Sequence, residues 1–236
     1  MHGLILAGGE GSRLAAEGVT VPKPLVRVAG ETLAVRLLRT FADLGCETLT
    51  CMVRAEFPAV LRVLEAEEFG LPFSVRSCLT PSSLHTLVEG LRAVPAGPVF
   101  CSMIDTVMPP ADWRALYAAT ERALTSGADA VLAVTPAVDD ESPVYVTRRD
   151  DGMVTALSDQ PIVPLLVTGG VYGFTPTARS AATEALQGGV ERMRGFLKWM
   201  VGHGYRVATV TVPRIIDLDH TSDLRLANAW LGSAEA

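Results

Sequence analysis

The chain has 236 residues, of which 49% are hydrophobic and 19% charged, with a formal net charge of −6. That length and composition suit one globular domain with a full core and exclude a disordered chain. No basic surplus exists to neutralise a nucleic-acid backbone, no apolar run approaches the length of a bilayer span, and the first residues read as a strand rather than a signal sequence, so small-molecule partners and a cytoplasmic location are expected.

The first apolar run, Leu4-Ile5-Leu6-Ala7, ends abruptly in Gly8-Gly9-Glu10-Gly11-Ser12-Arg13. Glycines let a backbone approach an anion closely and turn its N–H groups toward it. Arg13 adds a planar fork of donors suited to phosphate oxygens. Ten residues later Lys23 stands between Pro22 and Pro24, which should keep its segment extended and present a compact charge. The glycine spacing fits neither G-x-G-x-x-G nor a P-loop, which argues against a dinucleotide-dependent oxidoreductase.

Apolar residues at helical spacing then predict a helix over 31–44. A strand at 48–53, a helix at 57–69 and a strand at 73–78 follow. A helix over 83–94 carries Ser82 or Ser83 as its cap. The strongly apolar strand 99–104 ends on Asp105, before a helix at 113–124 and a strand at 130–134. This succession predicts a mostly parallel sheet covered by helices. Near Asp139 the pattern changes to short strands at 144–147, 154–157 and 170–174, read as an antiparallel insertion covering one side of a pocket. Helices at 177–186 and 193–201, a strand at 205–212 and a helix at 224–231 complete the chain. No linker or repeat divides it, so 1–236 reads as a single domain. Cys46, Cys51, Cys78 and Cys101 sit in or beside apolar runs without a C-x-x-C pair and read as buried, reduced thiols.

Two acidic positions stand where a cation would be held. Asp105 ends a strand, and in open α/β sheets ligands sit at the carboxyl ends of strands. In Ile215-Ile216-Asp217-Leu218-Asp219, an apolar pair again delivers acids to a strand end. Asp217 is favoured over Asp219 because it directly follows that pair, and Asp223 reads as a first-turn helix residue.

The apolar strand, the G-G-x-G-x-R-L string at 8–14 and P-K-P-L at 22–25 together resemble the N-terminal signature of the nucleotide-sugar pyrophosphorylases. These are nucleotidyltransferases that join a nucleoside triphosphate to a sugar 1-phosphate or a similar phosphate. The resemblance implies a Rossmann-like, GT-A-like α/β fold with an antiparallel acceptor-side insertion. It implies a nucleotide-binding half at 1–136 and an acceptor-binding half at 137–236. Leu6, Ala7, Gly8, Gly9, Gly11, Ser12 and Arg13 are implied to hold the nucleotide, with Arg13 on the β- and γ-phosphates. Lys23 is implied to bridge the α-phosphate and the incoming phosphate, and Asp105 and Asp217 to hold Mg²⁺. After Asp217 the string departs from the family, with His220 in place of the usual Thr.

Thr80-Pro81-Ser82-Ser83-Leu84-His85-Thr86-Leu87 stands where the family reads the base, with His85 in place of a Gly, so Ser82, Ser83 and Thr86 are expected there. Ser158-Asp159-Gln160-Pro161 resembles the E-K-P segment that meets the sugar and its phosphate, with Gln160 in place of the Lys. Arg148, Arg149, Arg192, Arg194 and Lys198 are the candidates to replace that charge. Val167-Thr168-Gly169-Gly170-Val171-Tyr172 resembles the A-G-I-Y strand and places Gly170 and Tyr172 at the acceptor.

The implied reaction moves a nucleotidyl group from a nucleoside triphosphate to a sugar 1-phosphate or related acceptor, releasing pyrophosphate, by positioning and charge neutralisation without a covalent protein intermediate. Two alternatives stay open. One is a cytidylyl- or guanylyltransferase acting on an alcohol, cyclitol or phosphonate. The other is a silent nucleotide-binding regulator, suggested by Gln160. The base, the acceptor and a homo-oligomeric state are left open by the sequence.

Overall fold

The computed structural model describes residues 1–137 and 142–234; the change of pattern expected near Asp139 lies outside them. The chain begins with β1 (His2–Ala7), buried at every position, as a strand covered on both faces must be. After α1 (Ser12–Ala16), a 3₁₀ turn (Lys23–Leu25) leads into the hairpin β2 (Arg27–Val28) and β3 (Glu31–Thr32). Helix α2 (Leu33–Asp43) starts two residues later than expected because Glu31 and Thr32 are taken up in pairing with β2. β4 (Leu49–Arg54), α3 (Pro58–Glu65), β5 (Phe73–Cys78), α4 (Ser83–Ala93) and β6 (Val99–Met103) follow as the sequence predicts. A short strand that the sequence pattern does not reveal, β7 (Thr106–Val107), precedes α5 (Pro110–Thr125) and β8 (Ala130–Thr135).

The second half contains β9 (Tyr145–Arg148), β10 (Val154–Ser158), β11 (Val167–Phe174), α6 (Pro176–Gln187), α7 (Met193–Gly202) and β12 (Val207–Thr211). A second unanticipated short strand, β13 (Ile216–Asp217), pairs with β7 and is followed by α8 (Thr221–Ala234).

The main sheet runs β10-β9-β11-β6-β1-β4-β5, and β8 lies against β11 and carries β12. Its centre, β6-β1-β4-β5, is parallel. β11 joins that centre antiparallel to β6 and is also antiparallel to β8. β8, antiparallel to β11 as β6 is, runs in the same direction as the parallel centre, so the antiparallel character enters with β9, β10 and β11, the insertion that the sequence predicts. One continuous sheet crosses the boundary between the halves, and helices flank it, giving the Rossmann-like architecture.

Each face of the sheet carries an apolar layer. On one side Phe41, Phe100, Trp113 and Tyr117 form an aromatic cluster under α2 and α5, with Phe41 and Phe100 tilted at 5.0 Å between centroids and Trp113 and Tyr117 edge-to-face against them. On the other, Leu84, Leu87, Phe174 and Phe196 pack with an all-alanine stripe of α6 (Ala178, Ala181, Ala182, Ala185), whose small side chains let α4 approach closely. Full burial of one such Leu or Phe contributes about 1.5–3 kcal/mol. The four cysteines are buried and free, as expected. Among the described residues, no helix is long and apolar enough to cross a membrane.

Candidate active site

Parallel register brings the site together. Leu6 of β1 lies opposite Met103 of β6, and Ala7 opposite Val53 of β4. The glycine loop therefore emerges at the same sheet edge as Asp105 and Arg54. Gly11 adopts a left-handed φ of 65°, and a Cβ there would come within 3.0 Å of Lys23 Cβ, so glycine lets the loop close onto the lysine segment.

That segment is not extended, contrary to the sequence expectation. Leu25 N–H donates to the Pro22 carbonyl (2.8 Å) and Val26 N–H to that of Lys23 (3.1 Å), closing the 3₁₀ turn. Pro22 before the turn and Val26 after it keep extended dihedrals. These bonds outweigh the bias a following proline places on Lys23. The turn folds Lys23 inward, leaving it 6% exposed.

There the Lys23 ammonium donates to Asp105 Oδ2 (2.7 Å) and Asp219 Oδ1 (2.6 Å), and the Arg13 guanidinium pairs with the other oxygen of Asp219. Burial works against the Lys23 charge, but Asp105 and Asp219 more than offset it and hold the ammonium above its ordinary range. Burial likewise opposes the charge of Asp219, and Lys23 and Arg13 bring its carboxyl below the usual range. Asp105, Asp217 and Asp219 offer carboxylate oxygens that all lie within 4.8 Å of one another. The β13–β7 ladder sets Asp217 opposite Thr106, and Leu218 N–H donates to the Asp105 carbonyl (3.0 Å), which docks the two acidic segments.

The loop carrying Asp217 and Asp219 is braced from both sides. Asp223, in the first turn of α8 as expected, accepts from the backbone N–H of Asp219 (3.0 Å) and His220 (2.6 Å). Glu17, just past α1, accepts from Thr221 N–H (2.8 Å), from its hydroxyl (2.7 Å) and from the His220 ring. Those bonds, His220 first, draw the Glu17 carboxyl down to about 2. No sequence signal points to Glu17, and Asp219 stands second to Asp217, the choice between the two being open. Their partners are more than 190 residues away, so only the D-x-D string itself hinted at Asp219.

Three recesses lie side by side along this edge, and Met103 lines all three. A pocket of ≈270 Å³ holds Leu6, Gly9, Gly11, Ser12, Arg13, Lys23, Asp105 and Asp219. A recess of ≈200 Å³ is lined by Leu6, Gly8, Gly9, Ser82, Ser83 and Thr86, with Glu10 and Arg54 in addition. Glu10 and Arg54, paired at 3.1 Å, were absent from the expected site. Ala7 lies buried at the strand end and lines none of the three.

Ser82 occupies the N-cap position of α4 without a side-chain capping bond, contrary to the expected role. Its hydroxyl instead donates to the Glu191 carbonyl, and Ser83 Oγ accepts from Met193 N–H at 3.0 Å. Both hydroxyls thus tie α4 to the start of α7. The Thr86 hydroxyl donates to the Ser82 carbonyl (3.2 Å).

The third recess is a cavity of ≈330 Å³ between β11, the end of β6 and α7; Gly170, Tyr172 and Asp217 line it, as do Arg192 and Arg194. Burial holds the Tyr172 hydroxyl protonated well above its ordinary range. Asp159 and Gln160, both expected at the acceptor, do not line it. Asp159 pairs with Lys198 and Arg194, and Gln160 is exposed with its N–H on Ser158 Oγ (2.9 Å). Both follow β10, the edge strand of the sheet, whose end turns them outward. Of the replacement cations, Arg148 is bound to the hydroxyls of Thr209 and Thr211, Arg149 to Asp151, and Lys198 to Asp159. Arg192 and Arg194 are the two that reach the cavity wall.

The edge of this Rossmann-like sheet thus carries a pocket with two cations and two carboxylates, flanked by two further recesses. The chain matches the MobA-like NTP transferase domain over residues 3–168 and belongs to that family. In fold it is similar to the inositol-1-phosphate CTP transferase from T. maritima, with a TM-score of 0.80 and 18% identity over 99% of this chain and 96% of that one. It is also similar to the nucleoside-diphosphate-sugar pyrophosphorylase from Vibrio cholerae RC9, with a TM-score of 0.73 and 18% identity over 97% and 100% of the two chains. A UDP-glucose pyrophosphorylase solved with UDP-glucose gives a TM-score of 0.78 at 13% identity, over 98% of each chain. A 64-residue stretch is 36% identical to the bifunctional IPC transferase and DIPP synthase of Aquifex aeolicus (strain VF5), spanning 27% of this chain and 15% of that protein.

Proposed function

We propose that the protein transfers a nucleotidyl group from a nucleoside triphosphate to the phosphate of a small polyhydroxylated acceptor, a sugar 1-phosphate or a cyclitol phosphate, and releases pyrophosphate. The observation that carries this reading is the grouping of three recesses around Met103, with Arg13 and Lys23 in one of them. The base occupies the recess beside Gly8 and Thr86, the phosphates lie over the glycine loop, and the acceptor fills the cavity beside Gly170 and Tyr172. The names of the fold neighbours, one using inositol 1-phosphate with CTP and others nucleotide sugars, support both acceptor types. A cytoplasmic location suits these substrates.

Arg13 holds the β- and γ-phosphates. Lys23 neutralises charge between the α-phosphate and the incoming phosphate. An acceptor phosphate oxygen, already ionised, forms the new bond to the α-phosphorus as the bond to pyrophosphate breaks in line, so no general base is required. Preorganised charge contacts supply the catalysis. Three clustered carboxylates are hard oxygen donors that fit Mg²⁺, so Asp105 with Asp217 and Asp219 would hold the ion. When bound, it would neutralise charge on the triphosphate. Arg192 and Arg194 attract the acceptor phosphate in place of the lysine missing at Gln160.

Pyrophosphate release tests the reading. CTP, UTP, dTTP, GTP and ATP are crossed with inositol 1-phosphate and a set of sugar 1-phosphates in the presence of Mg²⁺. The expected result is release that depends on the acceptor and is abolished by EDTA and by Asp105→Asn. Saturable nucleotide binding without release for any pair would overturn it in favour of a silent regulator.

A further inference from the structure

In this structure the two cations assigned to the triphosphate are already engaged. Lys23 Nζ lies 2.6 Å from one oxygen of Asp219, and the Arg13 guanidinium pairs with the other. A single carboxylate thus spans both cations, as two oxygens of one phosphate would. It lines the same pocket as Gly11 and Ser12, where the phosphates are expected. Its position is set by the bond from its N–H to Asp223 and, one residue on, by the brace from Glu17 to His220. Asp105 and Asp217 complete the acidic wall. Within the pocket Asp105 and Asp219 match the two cations in number, with Asp217 close by, so a triphosphate entering without a metal meets positive groups that are already occupied.

We propose that Asp219 is an internal substitute for the triphosphate: it holds Arg13 and Lys23 in register in the free protein and competes with the nucleotide for both. The proposal rests on the reading that these two cations bind the triphosphate. Nucleotide entry then requires Asp219 to release them, and the apparent affinity falls by the fraction of molecules in which they are free. A divalent cation arriving with the nucleotide offers the released carboxylate a new partner. Metal and nucleotide therefore bind cooperatively, each favouring the state in which Asp219 has let go. Asp219 is a positioning residue in this scheme, and the chemistry stays with Lys23 and Arg13.

The test measures binding rather than turnover. Inorganic tripolyphosphate is titrated calorimetrically into the full chain with EDTA present, using wild type and Asp219→Asn. The variant is expected to bind the metal-free polyanion about tenfold more tightly, because the competing charge is gone while the side-chain shape is kept. The gain in nucleotide affinity on adding Mg²⁺ is expected to shrink in the same variant. A residue that served only to hold the fold would weaken both. Asp219→Ala, checked for folding by circular dichroism, carries the test if the Asn variant does not fold. Equal or weaker metal-free affinity in the folded variant overturns the proposal. Wild type titrated with Mg²⁺ and each nucleotide separates the two failures. Saturable wild-type binding with no gain in the variant removes only the role of Asp219, and no wild-type nucleotide binding removes the reading of the pocket itself.

Discussion

At the phosphate end of the trough the charged side chains are cross-linked: Lys23 to Asp105 and Asp219, Arg13 to Asp219, and Glu17 to His220 and Thr221. At the proposed acceptor end the wall is mostly glycine, threonine and apolar side chains, with Arg192 and Arg194 and, where it meets the phosphate end, Asp105 and Asp217. The first end holds its charges in fixed places, and the second is shaped mostly by uncharged side chains. A family that keeps its chemistry while changing its acceptor needs this division, since shape can vary without disturbing the charges.

Removing one charge at the phosphate end should have the largest effect. Lys23→Ala is expected to lower kcat by about a hundredfold or more, the loss typical of a preorganised charge contact. Near-normal turnover in steady-state assays would break the comparison at its stronger end.

Next comes the shape of the acceptor end. Gly170 has a φ of 73°, and a Cβ there would lie 2.8 Å from Thr106 Oγ1. Gly170→Val is expected to cost about 1–3 kcal/mol of stability through backbone strain. It should also raise the acceptor KM while leaving the nucleotide KM nearly unchanged. Equal changes in both KM values would mean the two ends are not separable.

Arg192→Ala sharpens the same contrast with a smaller effect. Loss of one charge-assisted contact should raise the acceptor KM about tenfold, with the nucleotide KM unaltered. An unchanged acceptor KM would leave Arg194 as the cation that matters.

Glu17→Gln probes the brace through pH. The folded carboxyl sits at about 2 against an ordinary 4.5, so its contribution is complete above 4.5 and is lost as the pH falls toward 2. The melting temperatures of wild type and variant should differ at neutral pH and converge at the acid end. A gap that persists at pH 2 would deny the carboxylate this role. The smallest effect belongs to Gln160→Ala: the residue is exposed and off the cavity, so kcat and both KM values should stay within about twofold. A large loss would return Gln160 to the acceptor site.

Much of the fold was readable because its signals are short-ranged. Strand and helix periods marked nearly every long element, and the βαβ order implied the parallel centre. The elements that escaped, β7, β13 and the β2–β3 hairpin, have two-residue strands, too short to show a period.

The candidate site divides along the same line. The glycine loop, Arg13, Lys23 and Asp105 were legible because turn chemistry, basic residues at close spacing and an acid at a strand end are local facts of the chain. Other features depended on contacts with distant segments. These were the inward 3₁₀ turn of Lys23, the joining of Asp219 to Arg13, the brace from Glu17 to α8, and the outward turn of Asp159 and Gln160. By itself, the sequence determined the class of fold and the residue types of the glycine-loop pocket. Only the tertiary structure decided which carboxylate meets which cation and which arginines line the larger cavity. Ladder pairing between β13 and β7 and the docking of α8 set those distances, and both join segments that no local rule connects.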